Sequence, residues 1–405
     1  MLCLRPSYTR AVSTVPGRHL GVTRCPSAGR RCAPPRFMGC SPALRTFCSA
    51  QQHPQRKSTF TMAKGNFELL ALENPLLDIQ GVGDEKLLEK YGLKANDAIL
   101  AEEKHLGLFE DLIQNYNAVL IAGGAAQNSA RGAQYILPED STVYIGCVGK
   151  DKYGQTLEDI NKKAGVKTVY RYDEKAPTGR CGVVITGQNR SLCTDLAAAN
   201  LYNVEHLKQP EVWKYVEGAK IFYVGGYHLT VSVPAILAIA EHAAANDKTF
   251  VLNLSAPFIS QFFKDQLDSV IPYVDILIGN ESEAAAYAES HDIASKDVKE
   301  IAKEIAKLPK KNSKKERTVV FTQGTDATIT VTGSEAAEYP VHAISSDKIN
   351  DTNGAGDAFA GGFLAGIVAG DNLKTAVDKG QWLAKLSIQE LGPSYPEPKQ
   401  TYTSS

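Results

Sequence analysis

The chain has no apolar run near the ~20 residues that a helix needs to cross a bilayer, which excludes a membrane-spanning helix. Cysteine is scarce where a fold would use it. Five of the eight fall within residues 1–61, leaving only Cys147, Cys181 and Cys193. An odd number without a CxxC pair excludes a disulfide framework and reads as reduced, buried thiols. There is no HExxH, zinc-ligand pair or EF-hand loop, and there are no internal repeats. Gly146-Cys147-Val148-Gly149-Lys150-Asp151 has the outline of a P-loop but lacks the hydroxyl after the lysine that holds magnesium, so a Walker site is excluded.

Acidic residues are missing altogether from residues 1–61, which carry ten Arg and Lys. The remainder therefore holds 34 basic against 45 acidic residues, a balance of −11. An acidic body excludes a non-specific nucleic-acid binder, which needs a basic face. The basic segment Lys310–Arg317 has no interleaved aromatics and reads as a solvated loop. Residues 1–61, rich in Arg, Ser, Thr and Pro, resemble an organelle-type leader. Five prolines between 16 and 42 oppose an amphipathic helix there. The competing reading is a disordered Arg/Ser/Pro-rich leader or a start at Met62-Ala63-Lys64, and on either view 62–400 is the folded domain.

What remains is a regular alternation. Phe67–Leu72 reads as a buried strand ending in the turn Glu73-Asn74-Pro75-Leu76-Leu77-Asp78, with helices expected at 84–91 and 101–116. Strands at 143–147 and 166–170 flank a helix at 153–164. From Lys220, strands at 221–224, 250–254 and 274–278 alternate with helices at 233–245, 259–267 and 281–290. A helix at 295–307 precedes strand 318–321, and 328–332 pairs back. Such alternation predicts an α/β fold with a mainly parallel central sheet covered by helices on both faces. Thr178–Thr186 and Ser191–Leu196 predict a β-pair apart from that sheet, suited to a lid.

Four stretches and one arginine carry chemistry. Asp351-Thr352-Asn353-Gly354-Ala355-Gly356-Asp357-Ala358-Phe359 is a polar glycine turn running into an apolar helix. Its glycines admit a ligand to the backbone, the first helical amides suit a phosphate, and Asp357 is placed as a general base. Taken alone, the stretch reads more readily as a helix N-cap with a packing glycine. Gly123 and Gly124 close a strand before a small-residue helix bearing Asn128, which suits either a ligand hydroxyl or close helix–strand packing. Asn280 and Glu283 open a helix, as dipole partners or as polar ligands. Asn74 and Asp78 lie where strand ends collect ligands, or form an Asn-Pro turn. Arg190, at a hairpin turn, can meet phosphate charge or stand exposed.

Residues 351–359 resemble the second signature of the ribokinase-like (PfkB) carbohydrate and nucleoside kinases, and residues 119–130 the first, in order and over 200 residues apart. The resemblance implies a ribokinase-like fold whose small β-rich lid comes mainly from about 76–122 and 177–199. It makes Asp357 the base, with Asn353, Gly354, Ala355 and Gly356 as the anion hole. The NxxE motif implies magnesium, mostly through water, at Asn280 and Glu283. Segments 74–78, 189–192, 196–200 and 253–258 are similar to the adenosine-phosphorylating members. That likeness implies adenosine and ATP as substrates and a role in purine salvage. Asn74, Asp78, Gly123, Gly124 and Asn128 would take the ribose, and Leu76, Leu100, Leu192 and Tyr227 would wall the base. Arg190 would reach the γ-phosphate, and Asn280, Thr322 and Gly324 the nucleotide. It further implies a monomer. The acidic balance and the lack of a long apolar run argue for no nucleic-acid or membrane partner, and the reduced thiols suit the cytoplasm, with the nucleus a further location. Ala125, where several relatives have Ser, and Ala98 and Thr194 bear on base selectivity. A sugar kinase of the same fold and a silent nucleoside-binding protein are the alternatives.

Overall fold

The computed structural model describes residues 67–404 apart from Asn96 and Gln188; the leader at 1–61 and the start at Met62 lie outside the described residues. Short apolar runs supply the strands. In chain order these are β1 (Leu69–Leu72), β2 (Leu76–Val82), β3 (Ala98–Leu100), β4 (Val119–Gly123), β5 (Thr142–Gly149), β6 (Lys167–Asp173) and β7 (Arg180–Thr186). There follow β8 (Asn189–Asp195), β9 (Ile221–Gly225), β10 (Thr249–Asn253), β11 (Ile276–Asn280), β12 (Thr318–Gln323), β13 (Asp326–Thr332) and β14 (Glu335–Tyr339).

Nine of them form one sheet in the order β14-β13-β12-β11-β10-β9-β1-β5-β6. All neighbours from β12 to β6 are parallel, while β13 and β14 turn back antiparallel. All four residues of β1 are buried. Leu70 and Leu72 join a core with helices Val233–Ala245 and Glu281–Ser290 on one face. Leu69 and Ala71 join a second core, with helices Ala125–Ile136, Ala355–Val368 and Leu373–Ser387 on the other. A strand buried on both faces reads as a continuous apolar run, which is how β1 was recognisable.

Strand order reverses at β1. The chain steps outward through β5 and β6, then resumes at β9 on the opposite side of β1. The crevice outside such a reversal is where open α/β sheets bind ligands. The other five strands form a separate sheet, β3-β8-β7-β2-β4.

Some local expectations differ from the structure. Residues 76–82, expected in part as turn, form β2, because Leu77 and Ile79 alternate inward along a two-faced strand. The helix expected over 259–267 is two pieces, Pro257–Phe262 and Lys264–Val270, broken where Phe263 leaves helical geometry at φ −120°. β14 and the helices Pro210–Gly218 and Leu373–Ser387 were not anticipated.

Candidate active site

A cleft of about 810 Å³ opens at the carboxyl ends of β1, β9, β10, β11 and β12. Asp357 lies in it, in the first turn of the helix Ala355–Val368. Gly354 caps that helix at φ +79°, a left-handed conformation that glycine adopts without strain. It also abuts the C-terminal segment, since a Cβ there would lie 2.6 Å from Pro393 Cβ. Gly356 faces open space. The turn Asn353–Gly356 thus lines the cleft at a helix N-terminus beside a carboxylate, with the Asn353 N–H donating to Asp351 Oδ1 at 2.9 Å and the Ala355 N–H to the Thr352 carbonyl at 3.2 Å.

The helix Ala125–Ile136 supplies the partner. Asn128 Nδ2 donates to Asp357 Oδ2 at 2.8 Å. The two glycines before this helix are required by close approach. A Cβ at Gly123 would fall 2.0 Å from Asp78 Oδ1, and one at Gly124 would fall 2.4 Å from the Asn74 carbonyl. Gly123 therefore seats Asp78 and lies behind the lining, whereas Gly124 and Ala125 line the cleft.

Asn74 Oδ1 pairs with His228 Nδ1 at 3.0 Å, leaving its Nδ2 without a partner among the described residues. Burial holds His228 near pKa 3, so its ring is neutral.

Asn280 and Glu283 make a reciprocal capping box. Glu283 N donates to Asn280 Oδ1 at 2.9 Å, while Asn280 N and Nδ2 donate to Glu283 Oε2 and Oε1 at 3.0 and 2.8 Å. The two side chains are thus engaged with each other at the start of the helix. No group of three or more His, Cys, Asp or Glu poised to hold a metal exists among the described residues. Asn280 and Glu283 offer the cleft one amide and one anchored carboxylate, a donor set small enough to suit an ion held mainly through water.

The wall nearest the five-stranded sheet is mainly apolar, with Leu76, Ala98, Ile99, Leu100 and Leu192 beside Asp78, Cys181 and Thr194; Tyr227, Phe258 and Phe262 line the cleft as well. The Tyr227 hydroxyl donates to the Ser255 carbonyl at 3.1 Å, which fixes the ring. Thr322 lines the far end, and Gly324 turns the β12–β13 hairpin outside the lining. Arg190 also lies outside the lining. Its Nε sits 3.3 Å from Asp351 Oδ1, two residues before the anion-hole turn.

The electrostatics set the site apart. Burial raises Asp357 to about 7, against the opposing pull of Asn128 and Arg131. Burial likewise raises Asp78 and Glu283 to about 7 and Glu73 to about 8. Four carboxyls lifted together in one cleft mark a functional site that calls for positive charge.

Sequence reasoning missed Glu73 and Arg131. Glu73 is 1% exposed, accepts from the Ala126 N–H at 2.8 Å through Oε2, and leaves Oε1 unpartnered among the described residues. Its position directly after a strand, beside Asn74, was the available signal.

The pfkB family carbohydrate kinase model matches residues 85–400. Adenosine kinase of Schizosaccharomyces pombe is 50% identical over 339 residues, covering 83% of this chain and 98% of its own. That of Saccharomyces cerevisiae is 50% identical over 341 residues, with the same coverages of 83% and 98%. Among solved structures, Anopheles gambiae adenosine kinase in complex with P1,P4-di(adenosine-5) tetraphosphate superposes with a TM-score of 0.79 at 43% identity, covering 83% of this chain and 100% of that one.

Proposed function

This chain belongs to the pfkB carbohydrate kinase family, and we propose that within it the protein transfers the γ-phosphoryl group of ATP to the 5′-hydroxyl of adenosine, giving AMP and ADP. The observation that carries this reading is the Asn128–Asp357 pair beside the amides of 354–356, in a cleft with one polar and one flat apolar wall. Relatives named adenosine kinase, 50% identical over nearly their whole length, support it.

Adenosine places its base between Leu76, Leu100, Leu192 and Tyr227, which offer contact area where a free sugar would need hydrogen bonds. Asn74 and Asp78, with Gly123, Gly124 and Asn128 around them, take the ribose hydroxyls and aim the 5′-oxygen at Asp357. Asp357 accepts the hydroxyl proton as that oxygen bonds to the γ-phosphorus and the bond to the β–γ bridging oxygen breaks. Asn353 and the amides of Gly354, Ala355 and Gly356 receive the charge that spreads over the phosphoryl oxygens.

Arg190 leaves Asp351 for the γ-phosphate as the five-stranded sheet closes like a lid, excluding water. Asn280, Thr322 and Gly324 flank the rest of the nucleotide. Asn280 and Glu283 would hold magnesium through water, where it neutralises triphosphate charge. The protein acts as a monomer in the cytoplasm.

The test is a coupled assay of residues 62–405 with ATP, magnesium and each of adenosine, ribose and fructose. Turnover on adenosine at least ~100-fold above both sugars, the scale a well-shaped pocket achieves, is expected. Preference for a free sugar would overturn the reading in favour of a sugar kinase, and no turnover on any would favour a silent binder.

A further inference from the structure

A buried cation reaches Asp357 through a single amide. Arg131, on the helix Ala125–Ile136, is 7% exposed. Its Nη2 donates to the Ala122 carbonyl at 2.7 Å, to Asn128 Oδ1 at 2.8 Å and to the Pro393 carbonyl at 3.3 Å. A guanidinium has only donors, so it must meet the oxygen end of the Asn128 amide. That choice turns the nitrogen end towards Asp357 Oδ2, where it donates at 2.8 Å. Among the described residues the ion pairs include none for Arg131, which is an expensive way to bury a charge.

We propose that Arg131 is a positioning residue for the base: acting through Asn128, it fixes the donor that orients Asp357 and holds that carboxyl in its ionised form. The inference rests on Asp357 being the base. It adds the cation that sets how that base works. Burial of Asp357 favours its protonated form, while Asn128 and Arg131 favour the charged one. Glu73, Asp78 and Glu283 face the same group, and their own ionisation is opposed by its charge. Tyr223, Tyr227 and Tyr395 also face it, and burial keeps all three neutral. Arg131 is thus the cation in this set. Pro393 ties the arrangement to the turn, since the same proline that accepts from Arg131 packs on Gly354.

The experiment is the pH profile of kcat with adenosine and ATP for the wild type and for Arg131→Met, Arg131→Gln and Arg131→Lys. Foldedness is checked by near-ultraviolet circular dichroism. Gln keeps a donor for the Ala122 carbonyl and carries the test if Met does not fold. Removing the positive charge makes Asp357 easier to protonate, so the acid limb of both neutral variants moves to higher pH by about one unit, a tenfold change in protonation equilibrium. The Lys variant retains the charge, and its limb stays within ~0.3 unit of wild type. A purely structural arginine would lower kcat at every pH with the limb unmoved. That result, or an equal shift in the Lys variant, would overturn the proposal. Absence of adenosine turnover in the wild type would instead overturn the earlier reading of function.

Discussion

At the scale of single residues, the site is defined by carboxyls in places that resist their ionisation. Asp357 at about 7 has the poise expected of a base working near neutral pH. As a base it must be deprotonated, so kcat should rise with pH through the region of 7 and level off above it. A profile falling across that region would assign the group an acid's role. Glu73 gives a stability prediction of its own. A carboxyl raised from 4.5 to about 8 in the folded protein stabilises it below the unfolded value, and that contribution is lost as pH climbs through 8. Glu73→Gln removes this dependence while keeping the shape. The ligand-free variant should melt at least ~1 °C above wild type at pH 8.5, the shift expected per 1 kcal/mol in a chain of this size. The difference should shrink at pH 5.5. Scanning calorimetry at the two pH values checks both statements.

At the scale of elements, the turn before the helix Ala355–Val368 separates two uses of glycine. Gly354 is there for the backbone: its φ of +79° and its contact with Pro393 leave no room for a side chain. Gly354→Ala should cost about 1 kcal/mol or more in stability and lower the melting temperature. Gly356 differs: beyond its own chain neighbours and helix backbone, no atom of the described residues lies within 4 Å of where its Cβ would stand, and the proposed function puts the ligand in that space. Gly356→Ala should melt within ~1 °C of wild type yet lose at least ~10-fold in kcat/KM for ATP, the loss expected when a methyl group displaces an anion from its amides. Equal effects of the two substitutions on melting would contradict this division.

The same turn shows what sequence can reveal. Asp357, Gly354 and Gly356, the pair Gly123–Gly124, and Asn280 with Glu283 could be picked out because each unit lies on one continuous stretch that opens a helix. The seven-strand parallel core was legible because its strands are apolar throughout. Arg131 was not, since its partners include a carbonyl 262 residues away and nothing in its spacing distinguishes it from a surface arginine. β14 escaped because Glu335-Ala336-Ala337-Glu338-Tyr339 is an edge strand with little buried surface.

At the scale of the whole molecule, the five-stranded sheet and the turn Asn353–Gly356 are joined through Asp351. This carboxylate is 2% exposed and accepts from Gln80 on β2 at 3.4 Å, from the Asn353 N–H at 2.9 Å and from the Gly392 N–H at 3.1 Å, besides facing Arg190 on β8. Asp351→Asn removes the charge that holds Arg190 and should loosen the sheet in the ligand-free protein. Amide hydrogen exchange across 180–195 should then speed by about fivefold, the effect of losing roughly 1 kcal/mol. Unchanged exchange would show that other contacts hold the sheet in place.

The most direct measurement is rapid-quench phosphoryl transfer from ATP to adenosine by Asp357→Asn beside the wild type, with both proteins shown to melt alike. Loss of at least ~10²-fold in the transfer rate, the scale of removing a general base, with adenosine still bound, is the expected result. Near-normal transfer by the asparagine variant would mean that the carboxylate at 357 does not take the proton.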